Sequence, residues 1–206
     1  MNDCKTLINQ SKEKFKRTEH ESKLVISRPS QNDVETLHNF FENVIRDTFI
    51  RNGISNLKEE IRQEIEDKRN FLVDDLENNG CFFLVATVES KLIGSISCKQ
   101  ANELIVKCTN GTLKEVLELG TVYVHPEYQK QGIGSTLVYE MCQVLHKIGV
   151  KTVCLDSGYK IAQKVWLHLL GKPEYHLRNY WGDNADHMIW KVEIDDVLKR
   201  LKSNRI

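Results

Sequence analysis

No stretch of this 206-residue sequence is apolar for long enough to cross a bilayer, and residues 1–23, rich in Lys, Glu and Ser, hold no apolar run of the kind a secretory leader needs. Membrane partners are therefore not expected. Charge of one sign is also missing: 29 Lys and Arg balance 29 Asp and Glu, so no global field gathers nucleic acid. No Cys-x-x-Cys pair occurs among Cys4, Cys81, Cys98, Cys108, Cys142 and Cys154, and four of the six lie in apolar runs, where a thiol behaves as a small buried hydrophobe. This usage points to a reducing, cytoplasmic setting. Internal repeats and low-complexity tracts are absent. What is present, 40% hydrophobic residues, suffices for one substantial core. We expect a polar N-terminal extension over residues 1–23, one domain over 24–194 and a C-terminal tail over 195–206.

The pattern alternates between the two regular periods. Leu24-Val25-Ile26 reads as a short strand, and Asp33 is placed to cap a helix with Val34, Leu37, Phe41, Val44 and Ile45 on one face. Ser55 opens a second helical pattern through Leu57, Ile61, Ile65, Leu72 and Leu76, ended by Asn79-Gly80. Cys81 to Val88 and Lys91 to Cys98 form a β-hairpin around Glu89-Ser90. Leu104-Ile105-Val106 reads as an edge strand. A strand from Leu117 to Val124, a helix from Gly132 to Lys147, a strand from Thr152 to Leu155, a helix from Lys160 to Leu170 and a last strand from Met188 to Glu193 complete an α/β fold: a mixed central sheet flanked by helices.

Chemistry concentrates between Glu118 and Ser135. A strand through Val122 and Val124 stops at Pro126, which cannot donate to a ladder, and the chain then reaches Gly132 and Gly134 at the start of a helix. First-turn amides lack internal partners and sit at the positive end of the helix dipole, so glycines there admit a phosphate. The same glycines also suit a plain tight turn. No Lys-Ser or Lys-Thr follows Gly134, as a nucleotide P-loop requires, and no Gly-x-Gly-x-x-Gly is present.

Gln129-Lys130-Gln131-Gly132-Ile133-Gly134, preceded by Val-x-Val-x-Pro from Val122 to Pro126, resembles the phosphate loop of the Gcn5-related N-acetyltransferase superfamily. The resemblance extends over residues 24–193. It implies that the backbone of Val122, Tyr123 and Val124 pairs with the pantetheine arm of acetyl-CoA, and that the amides of Lys130 to Ser135 take the pyrophosphate. It also implies that the strands ending near Val124 and Leu155 splay apart to admit the thioester, and that the Val124 amide meets the oxyanion formed when a primary amine of a small molecule or peptide attacks. No metal is expected.

An alkylamine with a pKa of about 10 is protonated at neutral pH, so a base is needed. Glu118, eleven residues before Gln129, occupies the offset at which several relatives carry a proton-accepting glutamate; the alternative is a side chain facing solvent at a strand entrance. Many relatives place an acidic tyrosine where this chain has Trp166 or Leu167, which leaves Tyr159 and His168 as substitutes. Two other constellations stand out. Cys142 and His146 are one helical turn apart, a spacing compatible with a nucleophile pair or with plain packing. His176, Tyr180, Trp181, Asp183, Asp186 and His187 either line the acceptor pocket or form a surface loop. A non-catalytic acyl-CoA-binding module and a protein N-terminal or ribosomal-protein acetyltransferase remain alternatives, and monomer and homodimer are both compatible with the sequence.

Overall fold

In the computed structural model, which describes residues 24–203, seven strands form one sheet in the order β1-β2-β3-β4-β5-β7-β6. They are β1 (Val25–Ser27), β2 (Cys81–Val88), β3 (Lys91–Gln100), β4 (Leu117–Val124), β5 (Thr152–Ser157), β6 (Tyr175–Leu177) and β7 (His187–Glu193). Every adjacent pair is antiparallel except β4 and β5, which are parallel. The helices are α1 (Val34–Arg51), α2 (Lys58–Leu76), α3 (Glu103–Cys108), α4 (Ile133–Lys147), α5 (Lys160–Leu170) and α6 (Ile194–Ser203). The expected polar extension over residues 1–23 lies outside the described residues. Among the described residues no helix is long and apolar enough to cross a membrane.

Both faces of the sheet are covered, which is why β2 reads as one unbroken apolar run rather than an alternation. Phe82, Leu84 and Ala86 join Leu137, Met141 and Leu145 of α4 in one core. Their neighbours Cys81, Phe83 and Val85 pack on Leu37, Phe41 and Ile45 of α1 and Ile61, Ile65 and Leu72 of α2. A smaller cluster on that second face gathers Ile105, Leu113, Cys154 and Ile189. The hairpin turn needs left-handed backbone at both central positions to match the strand twist, and Glu89 and Ser90 adopt φ of 50° and 65°.

Three local expectations are corrected. Asp33 does not cap α1 with its side chain; it turns back to accept from the Ser30 amide at 2.7 Å and the Ser30 hydroxyl at 2.6 Å, closing a single 3-10 turn over Gln31–Asp33. Leu104-Ile105-Val106 is not an edge strand but the middle of α3, because the Asn102 side chain caps the Ile105 amide at 2.8 Å and fixes the first turn. Of the tail expected over residues 195–206, residues 195–203 lie in helix α6, whose Ile194, Val197 and Leu201 are buried in the α4 core, and residues 204–206 lie outside the described residues. Their spacing of three and four residues puts all three on one face.

Candidate functional site

The site forms where β4 and β5 part company. Their parallel pairing consists of Leu117↔Val153 and Glu118↔Cys154; β4 then runs on to Val124 and β5 to Ser157 without meeting. The cause lies in β4 itself. Ser95 pairs with Tyr123 but Ser97 with Gly120, so Thr121 and Val122 together face Ile96 in a β-bulge. Thr121 has φ of 52°, a costly conformation for a β-branched residue. Ser95 Oγ donates to its carbonyl at 2.9 Å and Ser97 Oγ to its hydroxyl at 2.8 Å, and both serines are fully buried. The two hydrogen bonds offset that strain.

One extra residue also reverses which face each side chain takes. Before the bulge Leu117 and Leu119 enter the α4 core, and after it Val122 and Val124 do. Tyr123 consequently lies on the α1–α2 side. The ladder fixes the backbone as well: the His125 amide donates to the Ile93 carbonyl at 2.8 Å. In an antiparallel pair bonded and non-bonded positions alternate, so Val124, opposite Gly94, is a non-bonded position whose N–H faces away from β3, toward the gap left by β5.

Val124 also anchors the turn that follows. Gln129 Nε2 donates to the Val124 carbonyl at 3.1 Å, and Gln129 Oε1 accepts from Arg51 of α1. Lys130 at φ 61° and Gly132 at φ 80° then reverse the chain into α4. The first helical bond runs from the Thr136 amide to the Gly132 carbonyl, leaving the amides of Ile133, Gly134 and Ser135 without an intrahelical partner. Beyond its chain neighbours no described atom lies within 4 Å of a side chain built at Gly132, and at Gly134, beyond its neighbours and the helix's own backbone, the nearest is Val124 Cγ2 at 3.7 Å. The outer face of the turn is open to a ligand. Ile133 contributes only its amide, since its side chain is buried in the core, while Gln131 and Lys130 are exposed.

Glu118 does not face solvent: it is 5% exposed. Its Oε2 accepts from Lys99 Nζ at 3.2 Å, across a register pair, and from the Asn102 amide at 2.8 Å. Neither holds Oε1, which turns over Gly120. Burial pushes this carboxyl above the ordinary carboxylate range; Lys99 pulls it back, and Asp156 pushes it further up.

Tyr159 lies at the start of α5, its ring edge-on to Phe49 at 5.7 Å. Burial and the neighbouring Glu64 hold its phenol protonated throughout the neutral range. It therefore groups with Glu64 and with Tyr123, whose hydroxyl donates to Glu64 Oε1 at 2.8 Å, rather than with Glu118. Trp166 is core, and His168 is exposed. Cys142 and His146 do not form a pair. The thiol is buried and pushed up to about 12, whereas His146 faces out to Asp195 at 3.1 Å.

The segment before β7 divides into two parts. His176 Nε2 at 2.6 Å and the Asn179 amide at 2.9 Å hold Asp186, and together they keep its carboxyl below the usual range. That half builds the loop. Trp181 Nε1 instead donates to His187 Nδ1 at 3.2 Å, and His187 Nε2 lies 3.1 Å from Asp156 Oδ2 on β5. The residues that sequence reasoning missed, Lys99, Asn102, Thr121 and Asp156, owe their places to strand register and to one bulge.

The sequence profile described as Acetyltransferase (GNAT) family matches residues 48–172. Among curated proteins none matches the chain in sequence. Solved structures that share its fold include the following three. A protein from Desulfovibrio desulfuricans, assigned as an acetyltransferase of the GNAT family, aligns at TM-score 0.64 and 14% identity over 84% of this chain and 99% of its own. The PaiA N-acetyltransferase of Thermoplasma acidophilum, in complex with coenzyme A, aligns at 0.60 and 23% over 83% and 99%. The yncA protein of Salmonella typhimurium, assigned as an acetyltransferase and solved with its cofactor acetyl-CoA, aligns at 0.59 and 14% over 84% and 95%.

Proposed function

Since the chain belongs to the GNAT acetyltransferase family, we propose that it moves an acetyl group from acetyl-CoA to a primary amine by direct attack within a ternary complex. One observation carries the reading: β4 joins, within eleven residues, a backbone N–H directed into a gap between strands and a helix start with free amides.

The amides of Ile133, Gly134 and Ser135 receive the pyrophosphate, aided by the α4 dipole. The exposed Lys130 stands beside them. The backbone of Val122 to Val124 borders the pantetheine arm, and the Val124 N–H donates to the carbonyl oxygen as negative charge develops on it. Glu118 Oε1 takes the proton from the attacking amine, directly or through a water. A buried carboxyl with a raised pKa suits that exchange near neutrality better than an exposed one. Tyr159 is the acid that the family resemblance leaves for the departing thiolate, and water serves where its raised pKa keeps the phenol from donating.

Solved relatives that hold coenzyme A or acetyl-CoA in the same fold support the donor. A second reading, a non-catalytic acyl-CoA-binding module, draws support from Trp166, which fills with core indole the position where many relatives carry an acidic tyrosine. Steady-state acetylation of an amine panel, for the parent and Glu118→Gln, separates the two. Turnover that falls in the variant and loses its acid-side pH dependence supports the enzyme. Acetyl-CoA binding without turnover on any amine supports the binding module.

A further inference from the structure

Beyond the Glu118↔Cys154 pair no ladder holds β4 and β5 at a fixed separation. A gap that places reacting atoms needs a constant width, so another element has to supply the restraint that the ladder does not. The end of α1 reaches both walls.

On the β4 side the contact is made by Arg51. In a strand the N–H and C=O of one residue point the same way, so the Val124 carbonyl, like its amide, faces away from β3 and toward the gap. Gln129 Nε2 donates to that carbonyl at 3.1 Å, in the place a strand partner would take, and the N–H beside it is the group left for a thioester. A guanidinium can only donate, so the bond from Arg51 Nη1 to Gln129 Oε1 fixes which way the Gln129 amide turns. It also ties that amide to α1 across 78 residues of sequence. Asp47 Oδ2, one turn earlier on α1, lies 3.6 Å from the same Arg51 nitrogen and steadies it.

On the β5 side the contacts are Asn52 and Phe49. The first helical bond of α5 runs from the Gln163 amide to the Tyr159 carbonyl, which leaves the Ile161 amide among those without an intrahelical partner. Asn52 Oδ1, on the residue that closes α1, accepts from it at 3.4 Å. Asn52 is itself held, because its Nδ2 donates to the Thr48 carbonyl at 2.8 Å and so aims Oδ1 away from α1. The buried Phe49 ring meets the ring of Tyr159, two residues beyond β5, at 5.7 Å. The negative end of one helix dipole thus abuts the positive end of another, which favours the contact.

We infer that the end of α1 is a strut across the gap, and that Arg51 and Asn52 are positioning residues which set where the Val124 N–H stands against the thioester carbonyl. The inference rests on the acetyltransferase reading and adds two residues to its machinery. Neither needs to touch the donor: Arg51 acts through Gln129 and the Val124 backbone, and Asn52 through α5 and the strand before it. A misplacement of about 1 Å at a reacting centre can cost roughly a hundredfold in rate, so a restraint on gap width has a large effect.

The test needs no acceptor. Infrared difference spectra of acetyl-CoA labelled with carbon-13 at the acetyl carbonyl read the hydrogen bond to that oxygen, since a donor there lowers the stretching frequency. In the parent the bound carbonyl should absorb below free acetyl-CoA. In Arg51→Met the band should move back toward the free value and broaden, with acetyl-CoA affinity by calorimetry within about threefold of the parent. Arg51→Lys, which still donates to Gln129, should keep the parent's band. Asn52→Leu should broaden the band, whereas Asn52→Asp, which keeps the acceptor for Ile161, should not. Joining Arg51→Met to Asn52→Leu should add little to the larger single effect, because a strut fails when either end is loose. An unshifted band in the parent, a band that Arg51→Met leaves in place, or loss of acetyl-CoA binding in that variant, which would mark a plain phosphate contact, overturns the inference and leaves acetyl transfer standing. A parent that binds no acetyl-CoA overturns the acetyltransferase reading, and the inference with it. If one of the two sites does not tolerate substitution, the pair of variants at the other decides alone.

Discussion

Gly120 and Glu118 share one face of β4, and the side chain that Gly120 lacks is the space into which the Glu118 carboxylate turns: a Cβ added at Gly120 would sit 3.1 Å from Glu118 Oε1. Gly120→Ala should therefore push the carboxylate away from the gap without disturbing the turn into α4. We expect kcat to fall by about tenfold with little change in acetyl-CoA affinity, read by steady-state kinetics beside calorimetry.

Lys99 tests the same group from its other oxygen. Removing the ammonium by Lys99→Met lets burial and Asp156 raise the Glu118 pKa further, so the acid-side limb of the pH–rate profile should move to higher pH. Breaking a buried pair also costs stability, on the order of 3 kcal/mol. The sign with pH follows from the raised pKa. Folded protein holds the Glu118 proton more tightly than unfolded chain, so that contribution is present below the unfolded pKa and is lost as pH rises through the folded one. The variant's deficit in urea unfolding should be larger at mildly alkaline than at mildly acid pH.

Gly158→Ala is expected to displace the Trp181 indole, since the contact of 2.7 Å with Nε1 is too short for any real Cβ, and so to break the bond to His187 Nδ1. Acetyl-CoA affinity should stay unchanged. Trp181 fluorescence reports the displacement independently of activity.

The glycines and the apolar stripe of α4 made the turn into that helix legible, because a helix start and its buried face follow from local spacing alone. The hairpin was legible for the same reason. Leu104-Ile105-Val106 was not, since three apolar residues suit either period and only the Asn102 cap decides for helix. Nor was the bulge at Thr121: a left-handed threonine leaves no mark in composition, and its support comes from Ser95 and Ser97 on another strand. Glu118 could be singled out by its offset from the turn, but its ion pair with Lys99 depends on β3–β4 register. Asp156 and His187 meet across 31 residues of sequence through β5–β7 pairing, which no local pattern announces.

Acetyl-CoA binding at the α4 turn is the premise on which the proposed acetyl transfer depends. Calorimetric titration of acetyl-CoA into the parent and into Gly134→Glu, which puts a side chain and a negative charge among the free amides, tests it most directly. The account predicts saturable binding by the parent and, in a variant with unchanged thermal unfolding, affinity reduced by at least about a hundredfold. Equal affinity in the two proteins, or no binding by the parent, would contradict it.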